Sequence, residues 1–285
     1  MRVAVLVSPA AGWTYAEIRD LARDAEAAGF PTFWASDHFF GGEGFPDRNC
    51  LEAWTLLAAL ARDTSTIRLG VLVSAHSYRN PAYLAKTVAT VDHLSGGRVE
   101  FGLGAGWKEN EYAAYGYEFP APGIRVTQMR ETLEICTRMW TQDRATYAGK
   151  HYRIADALSA PKPVQRPHPP ITIGGSKPRI MRVAARYADV FNVGRLGTPP
   201  QVPTRDQLAS LVEQLGHAAA AVGRDGPLQV SHWTPVESAD DRECARLAAA
   251  ARELASLGIV EYQLALPRDG ARGMLERLAR EVLPA

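Results

Sequence analysis

In FWASDHFFGG, residues 33 to 42, an apolar run ends in an acid and an imidazole side by side, Asp37 and His38. An imidazole exchanges protons near neutral pH, so the pair could deliver a proton-active group to the rim of a pocket. A polar pair after a strand also makes turns and caps without doing chemistry. His76 follows the apolar run IRLGVLV (67–73) and could line the same pocket. Gly174, Gly175 and Ser176 stand between ITIGG and the helical pattern KPRIMRVAARYA. Backbone N–H groups at a helix start bind anions, which makes this a natural phosphate site; a glycine turn with Ser176 as a plain N-cap is the competing reading. GLGAG at 102–106 imitates a dinucleotide loop but lacks the third glycine and the later acid, so its glycines better suit a flat ring lying close to the backbone.

Other chemistry fits less well. The seven histidines form no H-x-H or H-E-x-x-H pattern, and no metal is expected. There is no G-x-S-x-G elbow and no cysteine at a strand end; the three cysteines are far apart, as reduced buried thiols would be. Thirty-two basic residues against 31 acidic ones, without a basic run, argue against nucleic acid. No stretch of 18 apolar residues argues for a membrane span, and MRVAVLVSPAAGW is too weak for a secretory signal, so a cytoplasmic protein is expected.

The elements that must position these residues alternate. RVAVLV (2–7), TFWAS (32–36), IRLGVLV (67–73), RVEFGLG (98–104), ITIGG (171–175), DVFNV (189–193), LQVSHW (228–233) and VEYQLAL (260–266) read as eight strands. Helical spacing separates them, as in Ile18, Leu21, Ala25 and Ala28, or Val126, Met129, Leu133, Cys136 and Trp140, and it recurs at 206–220, 240–254 and 271–283. Thr14 with Glu17 has the spacing of a capping box, Gly29 is a stop, and Asn80 before Pro81 is an N-cap. Eightfold strand–helix alternation predicts an α/β fold, a (β/α)8 TIM barrel formed by residues 1–285 as one domain. The long gap between the fourth and fifth strands is read as an insertion, 142–170, over the barrel mouth. In such barrels the strand C-termini carry the chemistry, which places Asp37, His38, His76 and Gly174 to Ser176 at one rim.

ASDHFF, the block SYRNPAYLAKTVATVDHLSGGRVEFGLGAGWKENEYAAYG (77–116) and PITIGGSKPRIMRVAARYADVFN (170–192) resemble the luciferase-like monooxygenase superfamily, and within it the branch that uses the deazaflavin coenzyme F420. The resemblance implies a TIM barrel holding a flavin-like ring at the strand C-termini and the phosphate after the fifth strand. It implies an acid–histidine pair beside the ring, with Asp37 contacting the cofactor and His38 transferring a proton, a non-prolyl cis peptide at Val73–Ser74 under the ring, Gly104, Ala105 and Asn110 around the cofactor, and a phosphate loop at Gly174, Gly175 and Ser176. Trp107 stands where the family's sugar-phosphate dehydrogenases have a glutamate, which favours a flatter or more apolar substrate; Trp107 and His76 are the expected substrate contacts. The expectation is an oxidoreductase moving a hydride between coenzyme F420 and a small organic substrate. An FMN-dependent monooxygenase and a non-catalytic flavin-binding protein are the alternatives. A homodimer is compatible with this reading, and substrate specificity is expected from 39–50, 107–122 and 142–168.

Overall fold

A computed structural model describes residues 1–41 and 48–283. Eight parallel strand positions close on themselves: β1 (Arg2–Val7), β2 (Thr32–Ala35), the interrupted pair β3 (Arg68–Val71) and β4 (Ser74–Ala75), β5 (Val99–Gly104), β8 (Ile171–Gly174), β9 (Val190–Val193), β10 (Gln229–Pro235) and β11 (Ile259–Leu266). β11 pairs with β1 and β3 with β5, so the sheet has no edge. The third position is broken at a cis peptide between Leu72 and Val73, one bond earlier than the Val73–Ser74 bond expected.

The strands were legible because a parallel sheet buried on both faces reads as continuous apolar runs. Within β1 the alternation separates two layers. Val3, Val5 and Val7 pack outward against the helices, while Ala4 and Leu6 meet Trp34 and Leu72 inside the barrel. Connecting helices are α1 (Tyr15–Ala27), α2 (Ala53–Asp63), α3 (Pro81–Ser95), α4 (Glu109–Ala114), α5 (Pro122–Thr141), α6 (Pro178–Tyr187), α7 (Arg205–Ala221), α8 (Asp241–Ser256) and α9 (Ala271–Glu281). The reciprocal Thr14–Glu17 capping box opens α1, and the Asn80 side chain accepts from the N–H groups of Ala82 and Tyr83 to open α3. No helix among the described residues is long and apolar enough to cross a membrane.

The 142–170 segment departs from its expected place over the mouth. It contains the antiparallel hairpin β6 (Arg144–Ala148) and β7 (Arg153–Leu158), whose tip is fastened to the middle of α5: the Glu131 carboxylate accepts from the N–H groups of Lys150, His151 and Tyr152 at 2.9, 2.9 and 3.0 Å. The following chain crosses to the strand N-termini, where Gln165 bonds Asp92 and the Val99 carbonyl. The reason is directional. A helix that returns from the mouth runs antiparallel to the strands, so the end of α5 delivers the chain to the opposite end of the barrel.

Candidate active site

A cavity of 590 Å³ opens at the C-terminal ends of the strands. Its apolar floor comes from Leu6, Leu72, Val73, Ala265 and Leu266, with Trp233 to one side. His38 follows β2, whereas Gly174 to Lys177 follow β8 and Gly194 and Arg195 follow β9. In the closed order of eight positions, β9 stands four away from β2. The basic loops therefore face His38 across the full width of the mouth. A second cavity of 380 Å³ adjoins the first and shares Ser8, His38, Trp107 and Lys108 with it; Ala10, Ala11, Phe40, Gly41 and Arg48 complete its described wall.

The acid that orients His38 is Glu111, not Asp37. His38 Nδ1 lies 3.0 Å from Glu111 Oε2, and a carboxylate can only accept, so Nδ1 carries the proton and Nε2 is left for chemistry. Glu111 is fully buried at the foot of α4. Its Oε2 also accepts from the Tyr78 hydroxyl at 2.7 Å, and its Oε1 from Lys108 Nζ at 2.9 Å and the backbone N–H groups of Phe39 and Phe40 at 3.0 and 3.3 Å. Burial pushes its carboxyl upward, but hydrogen bonds and charge from His38, with Tyr78 and Lys108, outweigh that and hold it down at about 2. Burial and the same carboxylate push the Tyr78 hydroxyl well above its ordinary range. Lys108 spends its other protons on the carbonyls of Phe40 and Gly41, so its ammonium is committed to the wall of the site. The indole of Trp107 meets the His38 ring edge-on at 5.9 Å and is 73% exposed.

Asp37 does border the cavity, but its carboxylate is occupied. Arg79 clamps both oxygens at 2.7 and 2.9 Å, the Ala75 N–H adds 3.1 Å, and Arg79 also bonds Glu52. Asp37 thus ties the loop after β2 to the one after β4. Val73 lines the cavity, as does Ser74, whose hydroxyl accepts from Trp54 Nε1 at 3.0 Å. Gly104 and Ala105 line it too. The need for glycine at Gly104 comes from the protein itself: a Cβ there would stand 2.6 Å from Val73 Cγ2, and one at Gly174 3.0 Å from the same atom. Gly104, expected to admit a ring, and Gly174, expected in the phosphate loop, thus both make room for Val73, which itself faces the cavity. Gly175 donates its N–H to the Asn192 carbonyl, and α6 is capped at Lys177, so Ser176 is not its N-cap.

Two expected contacts lie elsewhere. Asn110 is exposed on α4 and does not line either cavity; the helical turn points Glu111 and Tyr112 inward instead. His76 is fully buried behind the wall, with neither ring nitrogen hydrogen-bonded, and burial foremost, with Arg125 and His151, pushes its imidazole down to about 3. None of 142–170 lines either of these two cavities, and of the 39–50 region expected to set specificity, 42–47 lie outside the described residues. Glu111 itself was missed. Its signal was the Lys108–Glu111 spacing of three on a short helix after the glycine loop, which puts both on one face.

A closed parallel barrel with an apolar-floored cavity at the strand C-termini, a histidine on one side and basic loops on the other, is the architecture of a TIM-barrel enzyme. The chain matches the luciferase-like monooxygenase family over residues 1–282 and belongs to it. It is an oxidoreductase of that family. An uncharacterized protein of Mycobacterium tuberculosis (strain ATCC 25618 / H37Rv) is 34% identical over 280 residues, 92% of either chain. An F420-dependent glucose-6-phosphate dehydrogenase of Amycolatopsis mediterranei (strain U-32) is 33% identical over 175 residues, 59% of this chain and 50% of that one. An FMNH(2)-dependent dimethylsulfone monooxygenase of Pseudomonas putida is 31% identical over 179 residues, 63% of this chain and 48% of that one.

Proposed function

We propose that the enzyme transfers a hydride between coenzyme F420 and a small organic substrate, with His38 holding or moving a proton at Nε2. The observation that carries this reading is the span of the mouth: His38, locked by Glu111, on one side, and Ser176, Lys177 and Arg195 on the other. A ligand with a reactive ring at one end and a phosphate at the other fits that span, and the apolar floor suits a ring face. When bound, the deazaflavin supplies the hydride chemistry, so the protein is left to bind, orient and exchange a proton.

Lys177 and Arg195 are both exposed at their end of the cavity, which leaves the phosphate end open for the longer acidic tail that distinguishes F420 from FMN. Arg179, two residues after Lys177, turns away and bonds Thr127 on α5. The substrate would enter the adjoining cavity, where Trp107, Phe40, Ala10 and Ala11 present mostly apolar walls beside His38. FMN is the alternative cofactor, supported by the FMNH(2)-dependent relative.

Titrating the purified apoprotein with each oxidised cofactor, followed by fluorescence, should give at least tenfold tighter binding of F420 than of FMN, about 1.4 kcal/mol. Tighter FMN binding would transfer the assignment to an FMN-dependent monooxygenase. Turnover of a substrate with the bound cofactor separates catalysis from binding alone.

A further inference from the structure

A chain of buried polar side chains runs through the barrel from the floor of the cavity toward the strand N-termini, and the mechanism above does not use it. It begins at Glu261 on β11, 2% exposed. Each hydrogen-bond or ion-pair partner of its carboxylate among the described residues is a donor: Arg2 at 3.1 Å, Trp34 Nε1 at 2.9 Å, Gln263 Nε2 at 2.9 Å and the Thr32 hydroxyl at 3.4 Å. Gln263, two residues on along the strand, points into the barrel like Glu261.

The orientation of each amide follows from the charge at the start. Amide oxygen and nitrogen are alike in shape, and their assignment comes from the network around them. A carboxylate facing Arg2 accepts and does not donate, so Gln263 must turn its NH2 toward Glu261. That leaves Gln263 Oε1 facing Asn192, 3.0 Å from Nδ2. Asn192 must therefore present its own NH2, and the same Nδ2 donates its second proton to Ser231 Oγ at 2.9 Å. Both amide protons are spent. Asn192 is 3% exposed, and what exposure it has is to the cavity that it lines; its Oδ1 has no hydrogen-bond partner among the described residues.

We propose that Asn192 Oδ1 is a cofactor-reading acceptor, bonding an N–H or O–H of the bound cofactor's ring or sugar-alcohol chain, and that Glu261 sets its orientation from inside the barrel. The proposal rests on the F420 reading above. A flipped asparagine would present its NH2 to the cavity and repel a ligand donor; the relay prevents the flip. Asn192 reads the cofactor directly, and Glu261 and Gln263 are positioning residues that never touch it.

The test is a double-mutant cycle on F420 affinity, read by fluorescence, with circular dichroism and thermal unfolding reporting the fold. Asn192→Leu should weaken binding about tenfold, the scale of one lost hydrogen bond with its partner stranded. Glu261→Gln should weaken it severalfold at a distance, because a glutamine there can accept or donate and frees Gln263 to turn. In the double variant the second change should add nothing, since the acceptor it orients is gone. Should Glu261→Gln unfold the protein, Gln263→Leu breaks the relay while leaving Arg2 and Trp34 on Glu261. Wild-type-like affinity in Asn192→Leu, or effects that add, would overturn the relay while leaving F420 binding in place. A wild-type protein that does not bind F420 would overturn the cofactor reading and this inference together.

Discussion

His38 and Glu111 form a dyad in which each residue does what the other cannot. Glu111 has five hydrogen-bond donors around it and no solvent, so it stays ionised and keeps the imidazole proton on Nδ1. His38 carries the exchangeable nitrogen to the boundary between the two cavities. If the pair works this way, His38→Ala should lower the maximal rate by ~10²-fold, the usual scale of general acid–base catalysis, while cofactor affinity changes little. Glu111→Gln keeps the volume but discards the charge and should lower the rate through His38 alone, so the double variant should be no slower than His38→Ala. Loss of cofactor affinity with either change would mean that the dyad packs the ring rather than serving it.

Among the elements, the turn from His76 to Tyr78 and the start of α5 trap a neutral histidine. His76 has no hydrogen-bond partner for either nitrogen and is held far below the ordinary imidazole range, to about 3, chiefly by burial. The sign follows. The unfolded chain takes up a proton as pH falls through about 6.5 and the folded one does not until about 3, so folding stability drops with falling pH across that window. Urea unfolding between pH 7 and pH 4 should show wild-type stability falling more steeply than that of His76→Leu, with the difference in slope approaching ~1.4 kcal/mol per pH unit below pH 6. Equal slopes would mean that His76 gains a proton or a partner in the folded protein.

Taken whole, the molecule separates its site from its largest irregular segment. The hairpin and the proline-rich return pack on α5 and toward the strand N-termini, and the cavities are built from loops of the barrel itself. Glu131, fully buried, is the clasp, accepting three backbone N–H groups from the hairpin tip. Replacing it with alanine strands those donors and should cost about 1–3 kcal/mol of stability, while cofactor affinity stays within twofold of wild type. A large loss of affinity with the fold intact would place the hairpin in the site after all.

Much of this protein could be read along the chain because its barrel strands are apolar runs of parallel sheet and its helices carry local signals, such as the Thr14–Glu17 box and Asn80 before Pro81. Short-range rules also brought His38, Val73, Ser74, Gly104, Ala105 and the 174–176 loop to one rim, since each follows or ends a strand. What stayed hidden depended on contacts between distant segments. Asp37 is adjacent to His38 in sequence, yet Arg79 claims it, and the partner of His38 comes from 73 residues away. His76 ends a strand like its neighbours, but α5 covers it. The 142–170 segment could have lain at either end of the barrel until the direction of α5 decided which. Adjacency along a chain fixes backbone geometry over a few residues, whereas which charge meets which is settled by packing among elements that the chain brings together only when it folds.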